Sequence, residues 1–330
     1  PDVALSLNNL ASHYIFKASY AEAEPLLQRS LKIYEKALGA EHPNIAPVLN
    51  NFAIVYDNKG DYTKAEQYLK RALTLQEKGL GREHSSITAN LNTLGLLYSK
   101  QGRYAEAETL FKRAYTISKK AFGPEHPEVG VSLKNLAFLY ENQGHYAEAE
   151  RLLQRSLKIS EKAFGLEHHE VATNLNNLAL LYYEQGRYTE AEPLFIRSLA
   201  INEGSFGPEH PMVAINLNNM GLLYNELGRF TEAESLYKRA LAIKEKISHL
   251  EDPDIALVLN NLGLLYINEG RLAEAEPLYK RSLTIFEKAF GPEHHSVALA
   301  LNNTALIYNK QGRYEEVEPL FKRSLTIYEN

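Results

Sequence analysis

Leu175–Ile201 reads LNNLALLYYEQGRYTEAEPLFIRSLAI, and recognisable forms of this stretch recur eight times along the 330 residues. Self-similarity at a fixed period marks a repeat architecture, in which each unit cannot bury its apolar face alone and stacks on its neighbours. The period is 42 residues: His42, His84, His126, His168, His210 and His294 keep that spacing, with Asp252 in the one missing place. The repeats run 1–42, 43–84, 85–126, 127–168, 169–210, 211–252, 253–294 and 295–330, the last truncated, as a single solenoid over 1–330.

Within the quoted stretch Leu175, Leu178, Ala179 and Tyr182 fall at helical spacing. After Gln185-Gly186-Arg187 a second apolar set follows in Ala191, Leu194, Phe195 and Leu199. Each repeat is therefore expected to be a helical hairpin, and the chain all-α. Gly186 and its counterparts stand where the first helix must stop, a place for a left-handed residue; Ala18 breaks that series. The connector GPEHP puts His210 at an N-cap and Pro211 at the first helical position, and Asp252-Pro253 fits the same role. Pro25, Pro193, Pro277 and Pro319 are expected in the first turn of the second helix, where amide hydrogens have no helical partner. Pairs such as Glu66-Lys70 and Glu234-Lys238 read as i,i+4 surface ion pairs.

Composition narrows the function classes. Apolar residues make up 45% and charged residues 23%, values that suit a folded core. The net charge of −5 is scattered, which removes the basic stripe of a nucleic-acid binder. The chain lacks cysteine, which excludes disulfides and thiolate sites and suits a reducing, cytoplasmic setting. It has no run of about 18 apolar residues, so no membrane-spanning helix is expected. It begins at Pro1 without methionine and reads as a fragment. No polar cap follows Tyr328-Glu329-Asn330, so Leu320, Phe321 and Leu325 are expected to lie partly uncovered, inviting end-to-end self-association or a further helix.

The set Leu175, Leu178, Ala179, Tyr182, Gly186, Tyr188, Ala191 and Phe195 resembles the tetratricopeptide repeat over the whole chain. The longer period, with LNNLA in the first helix and FGPEHP between repeats, looks like the repeats of kinesin light chains and related prokaryotic arrays. The resemblance implies a right-handed superhelix whose first helices line a concave groove that holds extended peptides or partner segments, and it carries no enzymatic activity. The chain departs from the light chain in lacking a heptad region and in having more repeats, so no motor-linked role is inferred.

At about 100° per residue, Asn177 and Leu180 point roughly 150° from the core direction, and Asn176 about 110°. The Asn176 position is occupied by Asn8, Asn50, Asn92, Lys134, Asn176, Asn218, Asn260 and Asn302. The next holds Asn9, Asn51, Thr93, Asn135, Asn177, Asn219, Asn261 and Asn303. Asparagine in a helix interior costs up to ~0.7 kcal/mol against alanine, so these columns forgo on the order of 10 kcal/mol of propensity that some interaction must offset. Two uses fit: amides that hold the backbone of an extended peptide, or amides that bond the adjacent repeat and set its stacking. The Leu180 column, Ser12, Ile54, Leu96, Phe138, Leu180, Leu222, Leu264 and Leu306, gives this face an apolar floor, either packed between helices or open to a partner. Val131, Ile215, Leu257 and Leu299 join it. Lys100, Lys134, Glu141, Glu184, Glu226 and Lys310 add mixed charge, so an acidic-peptide preference is not expected.

Chemistry-bearing motifs are missing. The histidines recur one per repeat and are kept apart by stacking, so they read as caps rather than metal ligands. There is no phosphate-cradling glycine run and no nucleophile elbow. Glu190 and Glu192 flank Ala191 on a solvated helix start, and nothing local promises the environment that would make them an acid/base pair. Asn302-Asn303-Thr304 is a sequon whose Thr304 belongs to the core face. No enzyme, cofactor or metal is expected. The sequence reads as a scaffold for a peptide or protein segment, with a structural spacer or self-association array as the alternative.

Overall fold

A computed structural model describes residues 2–17, 19–247 and 252–329. Among these residues the chain is helical throughout, with sixteen α-helices in repeating pairs and no strand. The first four pairs are α1 (Asp2–Phe16) with α2 (Tyr20–Leu38), α3 (Ala46–Asn58) with α4 (Tyr62–Leu80), α5 (Thr88–Lys100) with α6 (Tyr104–Phe122), and α7 (Pro127–Asn142) with α8 (Tyr146–Phe164). Then come α9 (His169–Glu184), α10 (Tyr188–Phe206), α11 (Pro211–Glu226), α12 (Phe230–Ile247), α13 (Pro253–Asn268), α14 (Leu272–Phe290), α15 (His295–Lys310) and α16 (Tyr314–Glu329). The chain divides into two compact units, Pro1–Gln185 with α1 to α9 and Gly186–Asn330 with α10 to α16.

Local chemistry sets the helix ends. The imidazole Nδ1 of His126 accepts from the Glu128 amide at 3.2 Å, and His42, His84, His168, His210 and His294 cap in the same way. Phe122 stacks on the His126 ring at 4.6 Å, and Phe164, Phe206 and Phe290 stack on theirs. Asp252 caps α13 through the Asp254 amide. At the turn inside a hairpin, Gly102 takes a φ of 72°. There the Gly102 amide donates to the Ser99 carbonyl at 3.0 Å and the Arg103 amide to the Tyr98 carbonyl at 2.9 Å, the paired bonds of a Schellman ending. Ala18, the exception in that series, lies outside the described residues.

The prolines sit deeper than the sequence suggested. Pro25, Pro193, Pro277 and Pro319 are each the sixth residue of their helix, inside α2, α10, α14 and α16. Each therefore leaves the carbonyl four residues earlier without its helical donor. Those carbonyls belong to Ala21, Thr189, Ala273 and Glu315, residues that are all exposed to solvent.

Within three hairpins a glycine on the first helix makes room for an aromatic ring on the second. Gly95 on α5 faces Phe111 on α6 so closely that a β-carbon would fall 2.5 Å from the ring. Gly221 and Gly263 stand in the same relation to Tyr237 and Tyr279. Where leucine takes the aromatic's place, at Leu27, Leu69 and Leu153, the first helix carries Ala11, Ala53 and Ala137, while Ala179 with Phe195 and Ala305 with Phe321 combine alanine with an aromatic. All these residues except Phe321 are buried.

Between repeats a carboxylate on each second helix grips the next hairpin. Glu66 accepts from Tyr98 Oη at 3.0 Å and Arg103 at 2.7 Å, and pairs with Lys70 at 2.6 Å. Arg103 lies flat over the Tyr98 ring at 3.8 Å. Glu234 repeats the cluster with Tyr266, Arg271 and Lys238. The surface pairs read from sequence are thus parts of inter-repeat clasps. Burial alone would raise Glu66, but bonds from Arg103, Lys70 and Tyr98 outweigh it and hold the carboxyl at about 2. Arg271 is the main cause of a value of about 2 at Glu234, as Lys280 is at Glu276.

Two predictions follow from this packing. These carboxyls lie below the ordinary glutamate value of about 4.3, so their stabilisation is present above that pH and is lost as pH falls towards about 2. The melting temperature should fall across that window, and a Glu66→Gln/Glu234→Gln/Glu276→Gln variant should fall less steeply; equal slopes would exclude the clasps as the cause. Gly95→Ala should destabilise by about 1–3 kcal/mol through overpacking, although alanine gains about 1 kcal/mol of helix propensity. Adding Phe111→Leu should recover most of the loss in a denaturant double-mutant cycle, and additivity would contradict the matched pair.

Candidate functional site

Successive first helices approach one another, α1 with α3, α5 with α7, α11 with α13 and α13 with α15, and no pair of successive second helices is in comparable contact among the described residues. The bridging side chains match this difference. On the first helices a short amide spans the gap: Asn51 Nδ2 donates to Asn8 Oδ1 at 2.9 Å, and Asn261 Nδ2 to Asn218 Oδ1 at 2.9 Å. On the second helices the gap takes an arginine and a glutamate, as in Arg71 with Glu35, Arg113 with Glu77, and Arg281 with Glu245. Within each unit the first-helix face is therefore the inner side of the stack.

The asparagine columns do not behave uniformly along this face. Asn51 spends both amide hydrogens, the second on Ser12 Oγ at 2.8 Å. Asn218 also donates to Asn219 at 3.5 Å. Thr93 stands where an amide would bond Asn50, and it turns its hydroxyl to the Ala89 carbonyl instead. Asn50 Oδ1 is left buried without a partner, as are Asn92 Oδ1 and Asn260 Oδ1. Asn135 and Asn177 are half-buried and form no side-chain hydrogen bond among the described residues. Lys134, the departure in the Asn176 column, pairs with Glu170 at 3.2 Å.

Two turns further along, the same step of 43 residues recurs with other chemistry. Lys100 bonds Asp57 at 2.6 Å, and Asn268 bonds Asn225 at 3.1 Å. Between α7 and α9 the step joins Glu141 to Glu184. Burial, and then the Glu184 charge, push the Glu141 carboxyl up to about 7. Sequence reasoning placed both residues on this face without foreseeing that pairing.

The apolar column opens into a cavity in the first unit. Ile54, Leu96 and Phe138 line a pocket of about 170 Å³ with Leu69, Thr93, Asp57 and Lys100 around it. Phe138 is 42% exposed. Leu180 is half-buried in that unit. In the second unit Leu222 is half-buried, while Leu264, Ile215, Leu257 and Leu299 are exposed. Elsewhere, Phe321 and Leu325 of α16 are exposed and Leu320 is half-buried.

Sequence reasoning missed one polar layer. Asn90, Asn174 and Asn216 lie buried where each second helix meets the following first helix. Their signal was available: an asparagine one place before an apolar core residue, opposite Gln76, Ser160 and Asn202 in the preceding helix. The paired carboxylates at Glu190 and Glu192 separate, Glu190 bonding Arg187 and Glu192 bonding Arg229. Thr304 of the sequon is buried, its hydroxyl bonded to the Ala300 carbonyl. No group of three or more metal-ligating side chains occurs among the described residues, and no described helix is long and apolar enough to cross a membrane.

Residues 2–78, 85–162, 170–246 and 254–330 each match the family model of the tetratricopeptide repeat. Among solved structures the chain is similar to BtubC (BKLC) from P. vanneervenii, at 25% identity and a TM-score of 0.55, over 71% of this chain and 92% of that one. It is also similar to a putative kinesin light chain with nearly identical TPR-like repeats from Podosopora anserina, at 27% identity and a TM-score of 0.51, over 62% and 96%. A Rap protein complexed with competence and sporulation factor shares the fold at 17% identity and a TM-score of 0.60, over 100% and 98%. No curated protein matches the chain. With four matches that together span nearly all of the sequence, the chain belongs to the tetratricopeptide repeat family.

Proposed function

We propose that the chain is a non-enzymatic scaffold that binds an extended peptide or partner segment along the inner face of its first helices. Tetratricopeptide repeat proteins generally mediate protein–protein interaction. The observation that carries the finer reading is the Ile54, Leu96 and Phe138 pocket, an apolar recess of about 170 Å³ on the face that the stack turns inward. A recess of that size receives one apolar side chain of a segment lying across α3, α5 and α7.

The neighbouring amides supply what an extended backbone needs. Asn135 on α7 and Asn177 on α9 have uncommitted donors and acceptors, so they are the positions that hold backbone N–H and C=O groups. Asn51, with both hydrogens committed, serves stacking instead. In the first unit the remaining members of the proposed surface are Asn92, Leu96, Lys134, Asn176 and Leu180, and in the second unit, taken by itself, they are Asn218, Asn219, Leu222, Asn260, Asn261 and Leu264. Recognition then rests on an apolar anchor and on backbone bonds, with the ion pair of Lys100 and Asp57 at the pocket's rim.

A peptide-library selection against the intact chain tests this reading. Selected peptides should lose at least about tenfold in affinity, roughly 1.4 kcal/mol, to an Asn135→Ala/Asn177→Ala variant and to Phe138→Ala, both with unchanged helicity. Binding that ignores both variants would remove the inner face from consideration. Concentration-dependent assembly without any peptide enrichment would favour the spacer or self-association reading, for which exposed Phe321 and Leu325 supply an apolar face.

A further inference from the structure

A second cavity, of about 180 Å³, lies where α7, α8 and α9 meet. Two truncations in the fourth repeat accompany it. Gly130 stands where six of the other seven repeats have alanine and the seventh has Thr88. Ser160 stands where Tyr34, Gln76, Asn202, Lys244, Phe286 and Tyr328 stand elsewhere, with Ser118 the other serine.

Asn174 lines this cavity and is only 2% exposed. Its Nδ2 donates to the Glu170 carbonyl at 2.9 Å and to Ser160 Oγ at 3.1 Å. A carbonyl can only accept, so the amide's orientation is fixed, and Oδ1 is left buried with no partner. The Ser160 hydroxyl cannot serve it, being donated to the Leu157 carbonyl at 2.8 Å. At the corresponding junction of the second unit Asn202 Nδ2 donates to Asn216 Oδ1 at 2.6 Å, and the buried oxygen without a partner is Asn202 Oδ1 instead. Asn90 Oδ1 is also unpartnered, but there Thr88 and Gln76 occupy the places of Gly130 and Ser160.

The lining of the slot around this unpartnered acceptor selects its ligand. Glu128 and Glu170 line the slot with Lys134, one ammonium against two carboxylates. The balance is negative, and Lys134 is already engaged by Glu170 at 3.2 Å. Val131, Ile159 and Phe164 make the walls apolar. A fitting ligand donates hydrogen bonds, carries positive charge and has a slim aliphatic body. We propose that this slot binds a primary ammonium group on a short aliphatic chain, either a free amine or a lysine side chain of a bound segment. The lysine case rests on the peptide-binding reading; the free-amine case does not, and it is measured without peptide, so the two fail separately.

The test is a methyl-resolved NMR titration of the full chain with n-butylamine, n-butyrate and N-acetyl-lysine methylamide. Butylamine should shift the Val131 and Ile159 methyls saturably, and butyrate should not. The Gly130→Ala/Ser160→Asn variant carries the residues of the fifth repeat at these places; it should melt no lower than the parent and bind at least tenfold more weakly. Glu170→Gln should weaken binding about fivefold and guards against misfolding of the first variant. Tighter binding of the lysine derivative than of butylamine assigns the slot to a peptide lysine, and the reverse assigns it to free amines. No saturable shift with either amine, equal binding of butyrate, or unchanged binding by both variants overturns the proposal.

Discussion

The unequal spacing of neighbouring repeats is the constraint on which the rest of the structure depends. First helices come close enough for one asparagine to reach another, as Asn51 reaches Asn8, while second helices are bridged by an arginine and a glutamate, as Arg113 bridges to Glu77. At the steps where first helices meet, the first-helix side is the short-bridged one, which is why we place the partner there. The close fits of Gly95 on Phe111 and of Gly263 on Tyr279 keep those hairpins rigid layers that can repeat at a fixed angle.

Much of this was legible in the sequence because it is written with the period of the repeat. The histidine caps, the glycine turn and the apolar core positions recur at one spacing, and periodicity is the strongest signal a single sequence carries. The i,i+4 ion pairs were legible only as pairs. Their role as clasps depends on Tyr98 and Arg103 of the next repeat, contacts that need the stacking geometry. The prolines were placed too early because nothing local distinguishes the first helical turn from the second when the residue four places before the proline, as Ala21 is to Pro25, lies exposed to solvent.

The candidate site shows where sequence reading stops. It gave the columns, and with them the candidates Asn135, Asn177, Leu96 and Phe138, but not how the amides divide their bonds. Thr93 turns away from Asn50 and Lys134 turns to Glu170, yet Asn92 Oδ1 and Asn260 Oδ1 are also unpaired although Asn135 and Asn303 stand one repeat on, so column identity alone does not fix the bonds. The fourth repeat carries the distinctive features of the first unit. Phe138, Lys134 and Gly130 all depart from their columns there, and two cavities accompany the departures.

The central claim is that the inner face around Ile54, Leu96 and Phe138 receives the partner. Methyl-resolved NMR of the intact chain, labelled at isoleucine, leucine and valine and mixed with its best-binding peptide, tests this most directly. The account predicts the largest shifts at Ile54 and Leu96, with Ile117 of the second-helix core unmoved. Shifts confined to Leu320 and Leu325 on α16, or spread over the second helices, would contradict it.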